Sequence, residues 1–324
     1  MLKQHKFIFL LSLLFLVLFS FLFAAFTGSS SVSIQDAPAL LNGTASPLLQ
    51  TLVFELRLPR ALAAFAAGAL LSLAGVLMQV LLRNPLADPY VLGVSGGSAL
   101  AALLAMLLGV NSILLTGSAF IGALISIFLV FSFAHSHGSW TISRLLLTGI
   151  ILASGWGALI SFTLVIAPAE KIHGMLFWLM GDLSYDRPLL PAYLILLVGM
   201  IFTLPLSRQL NILLWGDLQA GSLGVNIKRL RLHIFFLSSL LTAGAITLAG
   251  SIGFVGLVIP HLVRLIIGTD HRFLLPASAL TGGSLLIIAD TLARTIIAPQ
   301  QLPVGVLTAL IGVPLFLYLL KRSH

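Results

Sequence analysis

The chain is poor in the residues on which soluble enzymes depend. Charged residues make up 8% of its 324 residues, whereas an ordinary soluble domain is about 25% charged. With 17 basic and 9 acidic side chains, a soluble globular enzyme is excluded. The sequence has no cysteine, which rules out disulfides, thiolate metal sites and cysteine nucleophiles. It also has no Gly-Lys dipeptide, so it cannot bind ATP through a P-loop of the form GxxxxGK[ST].

Most of the chain consists of long runs of apolar residues. Hydrophobic residues make up 59% of the chain and the mean hydropathy is +1.13. A helix needs about 20 apolar residues to cross the ~30 Å core of a bilayer. The runs are too long and too continuous for barrel strands, so helices are expected to satisfy the backbone inside lipid. We predict an all-α polytopic membrane protein, a single transmembrane domain over residues 1–324, with about ten helices at 7–26, 61–82, 91–110, 113–133, 144–167, 189–206, 232–252, 254–267, 274–293 and 303–320.

The first run could be either a membrane span or a signal peptide. Lys3 and Lys6 precede 20 uncharged residues, and Ala24-Ala25 could lie near a cleavage site. The apolar region of a signal peptide is only about 7–15 residues long. The length of the run therefore favours a true first span.

The distribution of charge predicts the orientation. With ten spans and a cytoplasmic N-terminus, 12 of the 17 basic residues are cytoplasmic and 5 are external. The positive-inside rule therefore places both termini in the cytoplasm. The polar segment 28–56 becomes an external loop, and 207–231 becomes the longest cytoplasmic loop. Because the basic residues lie between apolar spans and not on a soluble face, nucleic acid is not an expected partner.

A short pattern recurs in the two halves of the chain. Ala-Gly-Ala at 67–69 is followed by Leu-Ala-Gly at 73–75, and the same two triplets recur at 243–245 and 248–250. The two copies would cross the membrane in opposite directions, as an inverted repeat of five helices requires. Close packing through small residues produces the same pattern without a duplication.

The external charges are candidates for function. Arg57 and Arg60 precede the second span and oppose the positive-inside trend. They could be anchors that reach into the headgroups, or they could bind carboxylates of an external partner. Asp290 and Arg294 are four residues apart, which places them on one helix face. They could neutralise each other, or they could form the relay of an ion-coupled secondary transporter, since ionisable groups at membrane depth are functional candidates.

The cytoplasmic loop contains a second candidate. Residues 215–226 are rich in glycine, and a short helix, a glycine break and a second short helix are expected there. The segment could be a solvated connector or a knob that docks into a cytoplasmic protein. The histidines have no zinc-binding spacing such as HExxH, and no nucleophile–base set is apparent. We therefore expect no metal site and no enzyme activity in this chain.

Several separated stretches, in order, resemble one family over about residues 56–320. This is the FecCD-type permease family of ATP-binding-cassette importers for iron–siderophore, haem and cobalamin. The stretches are Arg-Leu-Pro-Arg at 57–60, Asn-Pro-Leu-Ala-Asp-Pro at 84–89 with Leu-Gly-Val-Ser-Gly at 92–96, Ser-Arg-Leu-Leu-Leu at 143–147, Gly-Phe-Val-Gly-Leu-Val-Ile-Pro-His at 253–261 with Asp-His-Arg at 270–272, and Leu-Pro-Val-Gly at 302–305.

The resemblance implies a set of partners. It implies a homodimer in the cytoplasmic (inner) membrane of a bacterium, with ten helices per subunit and the pathway between the subunits. Two ATPase subunits, which use ATP and Mg²⁺, would bind below, and a periplasmic or lipoprotein substrate-binding protein would dock above. The chain itself would hold no cofactor. The cargo would be a metal chelate, with an iron–siderophore favoured and haem or cobalamin left open.

The resemblance also implies roles for individual residues. Arginines at the external side of the family receive carboxylates of the binding protein, and the matching residues are Arg57, Arg60 and Arg294. The segment that contacts the ATPase matches Leu218, Ala220, Gly221, Leu223, Gly224 and Asn226. The cytoplasmic gate matches Thr141, Ile142 and Ser143. Ile142 departs from the small hydroxyl residue at the gate of the cobalamin members, and this predicts a drier constriction.

Overall fold

The computed structural model describes residues 2–28, 32–135, 141–183 and 187–322. Within these ranges, seven helices are long and apolar enough to cross a membrane, and three shorter apolar helices accompany them. The prediction of an all-α protein with ten apolar helices is confirmed. The ten helices are α1 (Leu2–Phe26), α2 (Leu58–Leu81), α3 (Val94–Leu108), α4 (Ser112–Ala134), α5 (Ile142–Ile166), α6 (Leu189–Leu213), α7 (Ile227–Ala249), α8 (Val255–Ile267), α9 (His271–Thr295) and α10 (Val304–Arg322).

Helix α2 lies at the centre of the fold and packs against α6, α7, α8 and α9. Its side chains are buried along most of its length. A methyl group added at Gly68 would overlap the backbone carbonyl of Gly282, and one added at Gly75 would overlap that of Gly256. These contacts confirm that glycines allow close approach of the helices.

Helices α3 and α8 are the third helix of each predicted half, and both are short. At 1.5 Å per residue, their 15 and 13 residues give lengths of only about 22 and 20 Å. Each begins after a residue in the left-handed region, Gly93 (φ 71°) and Phe254 (φ 70°). The segments that precede them meet where the Ile252 N–H donates to Tyr90 Oη at 3.1 Å. This correspondence agrees with an inverted repeat, which stays a prediction.

The predicted loops contain more helix than expected. In the segment 28–56 the chain is helical from Pro47 and continues through a π-helical stretch, Thr51–Arg57, directly into α2. A further helix, Ala169–Leu179, connects α5 to α6 and was not predicted. The loop predicted at 207–231 is shorter, because α6 continues to Leu213 and α7 begins at Ile227. Polar residues end an apolar run but not a helix, so hydropathy made these helices too short: it placed the end of α6 too early and the starts of α2 and α7 too late.

Helices α1, α5 and α6 contribute little to the core. Fewer than a fifth of the residues in their most apolar windows are buried. Of the described residues, none comes within 4 Å of a methyl group added at Gly155 or Gly157 of α5. The residues on these surfaces are apolar or small, which suits contact with lipid or with a second subunit.

Candidate functional site

Three arginines and one carboxylate gather where the start of α2 meets the end of α9, at the predicted external side. We call Arg57, Arg60, Asp290 and Arg294 the arginine cluster. Asp290 is 2% exposed. Its carboxylate accepts hydrogen bonds from Arg60 Nη2 at 2.8 Å and from Arg60 Nε at 2.9 and 3.1 Å. Arg294 Nε donates to the same carboxylate at 3.1 Å, so one acid holds two guanidinium groups.

Arg57 is held by a different partner. It is 3% exposed, and its Nη1 donates to the carbonyl of Ala25 at 2.8 Å. Ala25 lies in the last turn of α1, where backbone carbonyls lack helical partners and the helix dipole favours a cation. Arg57 therefore connects the ends of α1 and α2 next to the Asp290 pair.

A cavity of about 620 Å³ opens beside the arginine cluster. Four arginines line it, namely Arg57, Arg60, Arg294 and Arg187. Arg187 Nη1 donates to the carbonyls of Thr247 and Leu248, at 3.2 and 2.6 Å, in the last turn of α7. Glu55 also lines the cavity, so the lining carries four positive charges and one negative charge, and Asp290 pairs with two of the four arginines. Such a cavity attracts anions, and carboxylates fit arginine best.

The structure identifies Arg60 as a partner of Asp290, which the sequence alone did not indicate. Asp290 and Arg294 lie on one face of α9 as predicted, and they form an ion pair. Arg60, which is 230 residues away in the chain, binds Asp290 more closely. An acid held by two arginines would have to break both pairs to carry a proton. The geometry therefore gives little support to a relay at Asp290.

The cytoplasmic segment between α6 and α7 forms a second candidate site, which we call the coupling segment (214–226). Its short helix, Asp217–Ser222, follows Gly216 (φ 111°) and is followed by Gly224 (φ 79°), so both turns need the freedom of glycine. Leu218 is 92% exposed and Leu223 is also exposed. Ala220 is buried against the protein.

The remaining predicted residues of the coupling segment have clear positions. Gly221 and Gly224 are exposed beside the two leucines. The side chain of Asn226 accepts a hydrogen bond from the Arg229 N–H at 3.0 Å and caps α7. The short helix and the glycine break after it agree with the prediction, but the second short helix is absent from the described segment, because the next helix is the long α7, which begins at Ile227.

Two arginines hold the coupling segment at Asp217, the first residue of its short helix. Arg231 Nη2, from α7, donates to the two carboxylate oxygens at 3.0 and 2.9 Å. Arg83, two residues beyond the end of α2, forms the second ion pair. Neither pair could be predicted, because the partners are 14 and 134 residues apart.

The predicted gate residues lie at the start of α5. Thr141 is the N-cap, and its hydroxyl accepts a hydrogen bond from the Arg144 N–H at 3.3 Å. Thr141 and Ser143 are exposed and Ile142 is half-buried. Residues 136–140, which precede them, lie outside the described ranges. The gate therefore stays a prediction.

A polar contact also joins the predicted cytoplasmic ends of α6 and α9. Asn211 Nδ2 donates to Asp270 at 2.9 Å, and Asp270 caps α9 through the Arg272 N–H at 3.1 Å. Burial alone would raise the pKa of Asp270, but these hydrogen bonds and the positive charges of Lys6 and Arg272 lower it. Across the described ranges, no three His, Asp or Glu side chains gather as a metal site requires.

Comparison with known proteins agrees with this architecture. The profile of the FecCD transport family matches residues 15–322. The cobalamin import system permease protein BtuC of Halobacterium salinarum is 42% identical over 88% of this chain and 79% of its own. The hemin transport system permease protein HmuU of Yersinia pestis is 40% identical over 96% of this chain and 95% of its own. A solved inward-facing structure, assigned to the metal-chelate type of ABC transporter, superposes with a TM-score of 0.86 at 34% identity and covers 98% of this chain and 99% of its own.

Proposed function

Because the chain belongs to the FecCD transport family, we propose that it forms the membrane pathway of an ATP-driven importer of metal chelates. The observation that carries this proposal is the coupling segment. A leucine that is 92% exposed stands on a short helix held at its base by two arginines. Since the chain has no P-loop, the energy must come from a partner, and this surface suits an ATPase subunit that uses ATP and Mg²⁺.

We assign the opposite end of the protein to the binding protein. The arginine cluster and its cavity carry an excess of positive charge, which a carboxylate of a periplasmic or lipoprotein partner would neutralise. Arg60 and Arg294 would be the contacting residues. Arg57 is buried, and we propose that it supports them from below.

The pathway itself requires a second subunit. The apolar, poorly buried surface of α5 and its open glycines suit an interface with a second copy, and we propose a homodimer in the cytoplasmic membrane of a bacterium. Thr141, Ile142 and Ser143 at the start of α5 would then form the cytoplasmic gate. We propose an iron–siderophore as cargo, with haem and cobalamin as the alternatives to be compared with it in uptake assays.

A co-purification tests the proposal. The tagged chain is solubilised gently with its candidate ATP-binding subunit, and ATP hydrolysis by the isolated complex is measured. We expect a stable complex that hydrolyses ATP. We also expect Leu218→Asp to lose the ATPase subunit, because the change places a charge in an apolar contact. Leu41→Asp is the matched control, since Leu41 is 84% exposed on the predicted opposite side.

The result can contradict the proposal in two ways. If no ATPase subunit binds the wild-type chain, the importer function loses its basis, and an ion-coupled secondary transporter that uses Asp290 and Arg294 becomes the better account. Its transport would stop when an uncoupler collapses the ion gradient. If Leu218→Asp binds the ATPase subunit as the wild type does, the contact surface lies elsewhere.

A further inference from the structure

One helix connects the two candidate sites. The helical segment that contains α2 begins at Pro47, carries Arg57 and Arg60 near its outer end, and ends at Leu81. Arg83 follows two residues later. At 1.5 Å per residue, the 24 steps from Arg57 to the end of the helix at Leu81 span about 36 Å. This length is close to the ~40–45 Å thickness of a bilayer with its headgroups.

The helix is held along its whole length. Backbone contacts at Gly68 and Gly75 fix it against α9 and α8. Near its inner end, Gln79 Nε2 donates to the Leu257 carbonyl at 3.1 Å, and Gln79 Oε1 accepts from Arg264 Nη2 at 2.8 Å. Close-packed interiors transmit a displacement and do not absorb it. A movement of the outer end should therefore move the inner end.

The inner end of the helix contacts the coupling segment directly. Arg83 pairs with Asp217 at the base of the short helix that presents Leu218. Arg231 pairs with the same carboxylate but belongs to α7, which carries none of the three predicted docking arginines. The two arginines hold one acid, and of the two only Arg83 comes directly after the helix that carries Arg57 and Arg60.

We propose that Arg83 is a positioning residue that connects docking of the binding protein to the ATPase. Docking at the arginine cluster would shift α2, and Arg83 would pass the shift to the coupling segment through Asp217. Because coupling between two binding sites is reciprocal, nucleotide binding to the ATPase should in turn change the affinity for the binding protein. This inference rests on the proposed function.

The test measures the ratio of ATP hydrolysis with and without the binding protein. The full complex is reconstituted in lipid nanodiscs, and each variant is compared with itself, so that differences in the amount of folded complex cancel. In Arg83→Gln we expect the ratio to fall about two- to fivefold, the effect of losing one partly exposed ion pair. Arg231→Gln is the matched control and should keep the wild-type ratio. Arg83→Lys should restore part of it.

Each outcome decides a different claim. A wild-type ratio in Arg83→Gln, an equal fall in Arg231→Gln, or no stimulation of the wild-type complex would overturn the role of Arg83 and leave the importer intact. Failure of the wild-type chain to bind any ATPase subunit would overturn the importer itself. If the complex that contains Arg83→Gln does not assemble, the variant Asp217→Asn tests the role of Arg83 instead. It breaks both pairs and should lower the ratio at least as far, and an unchanged ratio there also refutes the proposal.

Discussion

Removing the acid of the arginine cluster should cost far more stability than removing one of its arginines. Asp290→Asn would leave Arg60 and Arg294, which are 14% and 11% exposed, without their counter-charge. Breaking a buried ion pair from one side typically costs 3–5 kcal/mol. Since both arginines keep some exposure, we expect about 3 kcal/mol. Arg294→Gln leaves Asp290 bound to Arg60 by bonds of 2.8 and 2.9 Å, so the expected cost is about 1 kcal/mol.

The assay is the free energy of unfolding in mixed micelles, followed by tryptophan fluorescence. The double variant Asp290→Asn/Arg294→Gln completes the cycle. It should cost clearly less than the two single changes added together, because Arg294 no longer faces a neutral partner. If Asp290→Asn proves as stable as Arg294→Gln, or if the two costs simply add, then Asp290 does not hold the arginine cluster together and the reasoning fails.

Two further predictions concern packing and pH. Gly75→Ala should destabilise the protein by about 2 kcal/mol or more, since its methyl group would overlap the Gly256 carbonyl. Gly117→Ala, where no described atom lies within 4 Å, should cost nothing measurable in the same unfolding assay. Asp270→Asn should lower stability at pH 7, and its difference from the wild type should shrink progressively as the pH falls below about 4, the unfolded pKa of an aspartate, and through the lower pKa of the folded state. A carboxylate whose pKa is lowered by folding stabilises the protein only while it is ionised, so a difference that stayed constant as the pH falls from 7 into this acidic range would contradict this account.

The sequence predicted the helices well because each depends on a local run of apolar residues. It also predicted that Asp290 and Arg294 share one face of a helix, because they are four residues apart, and the ion pair that they form was one of the two alternatives left open. It could not predict Arg60 as the main partner of Asp290. That contact depends on which faces of α2 and α9 meet, and the meeting is set by the glycine contact between Gly68 and Gly282. The role of Asp217 was missed because its two partners, Arg83 and Arg231, are distant in the chain and meet it only through the packing of the helices.

The predicted external side of the fold shows how arginines can be stable where the positive-inside rule disfavours them. Arginines are disfavoured outside, yet Arg57 and Arg187 lie at the predicted external side, where they donate to carbonyls in the last turns of α1 and α7. Helix ends of this polarity stabilise cations, so each of these two arginines is stabilised by the end of a helix. The buried acid Asp290 holds Arg60 and Arg294 together. Because the helix ends contribute partial charge and no full negative charge, the cavity keeps its net positive charge. This excess of positive charge is what the proposed docking of an acidic partner requires.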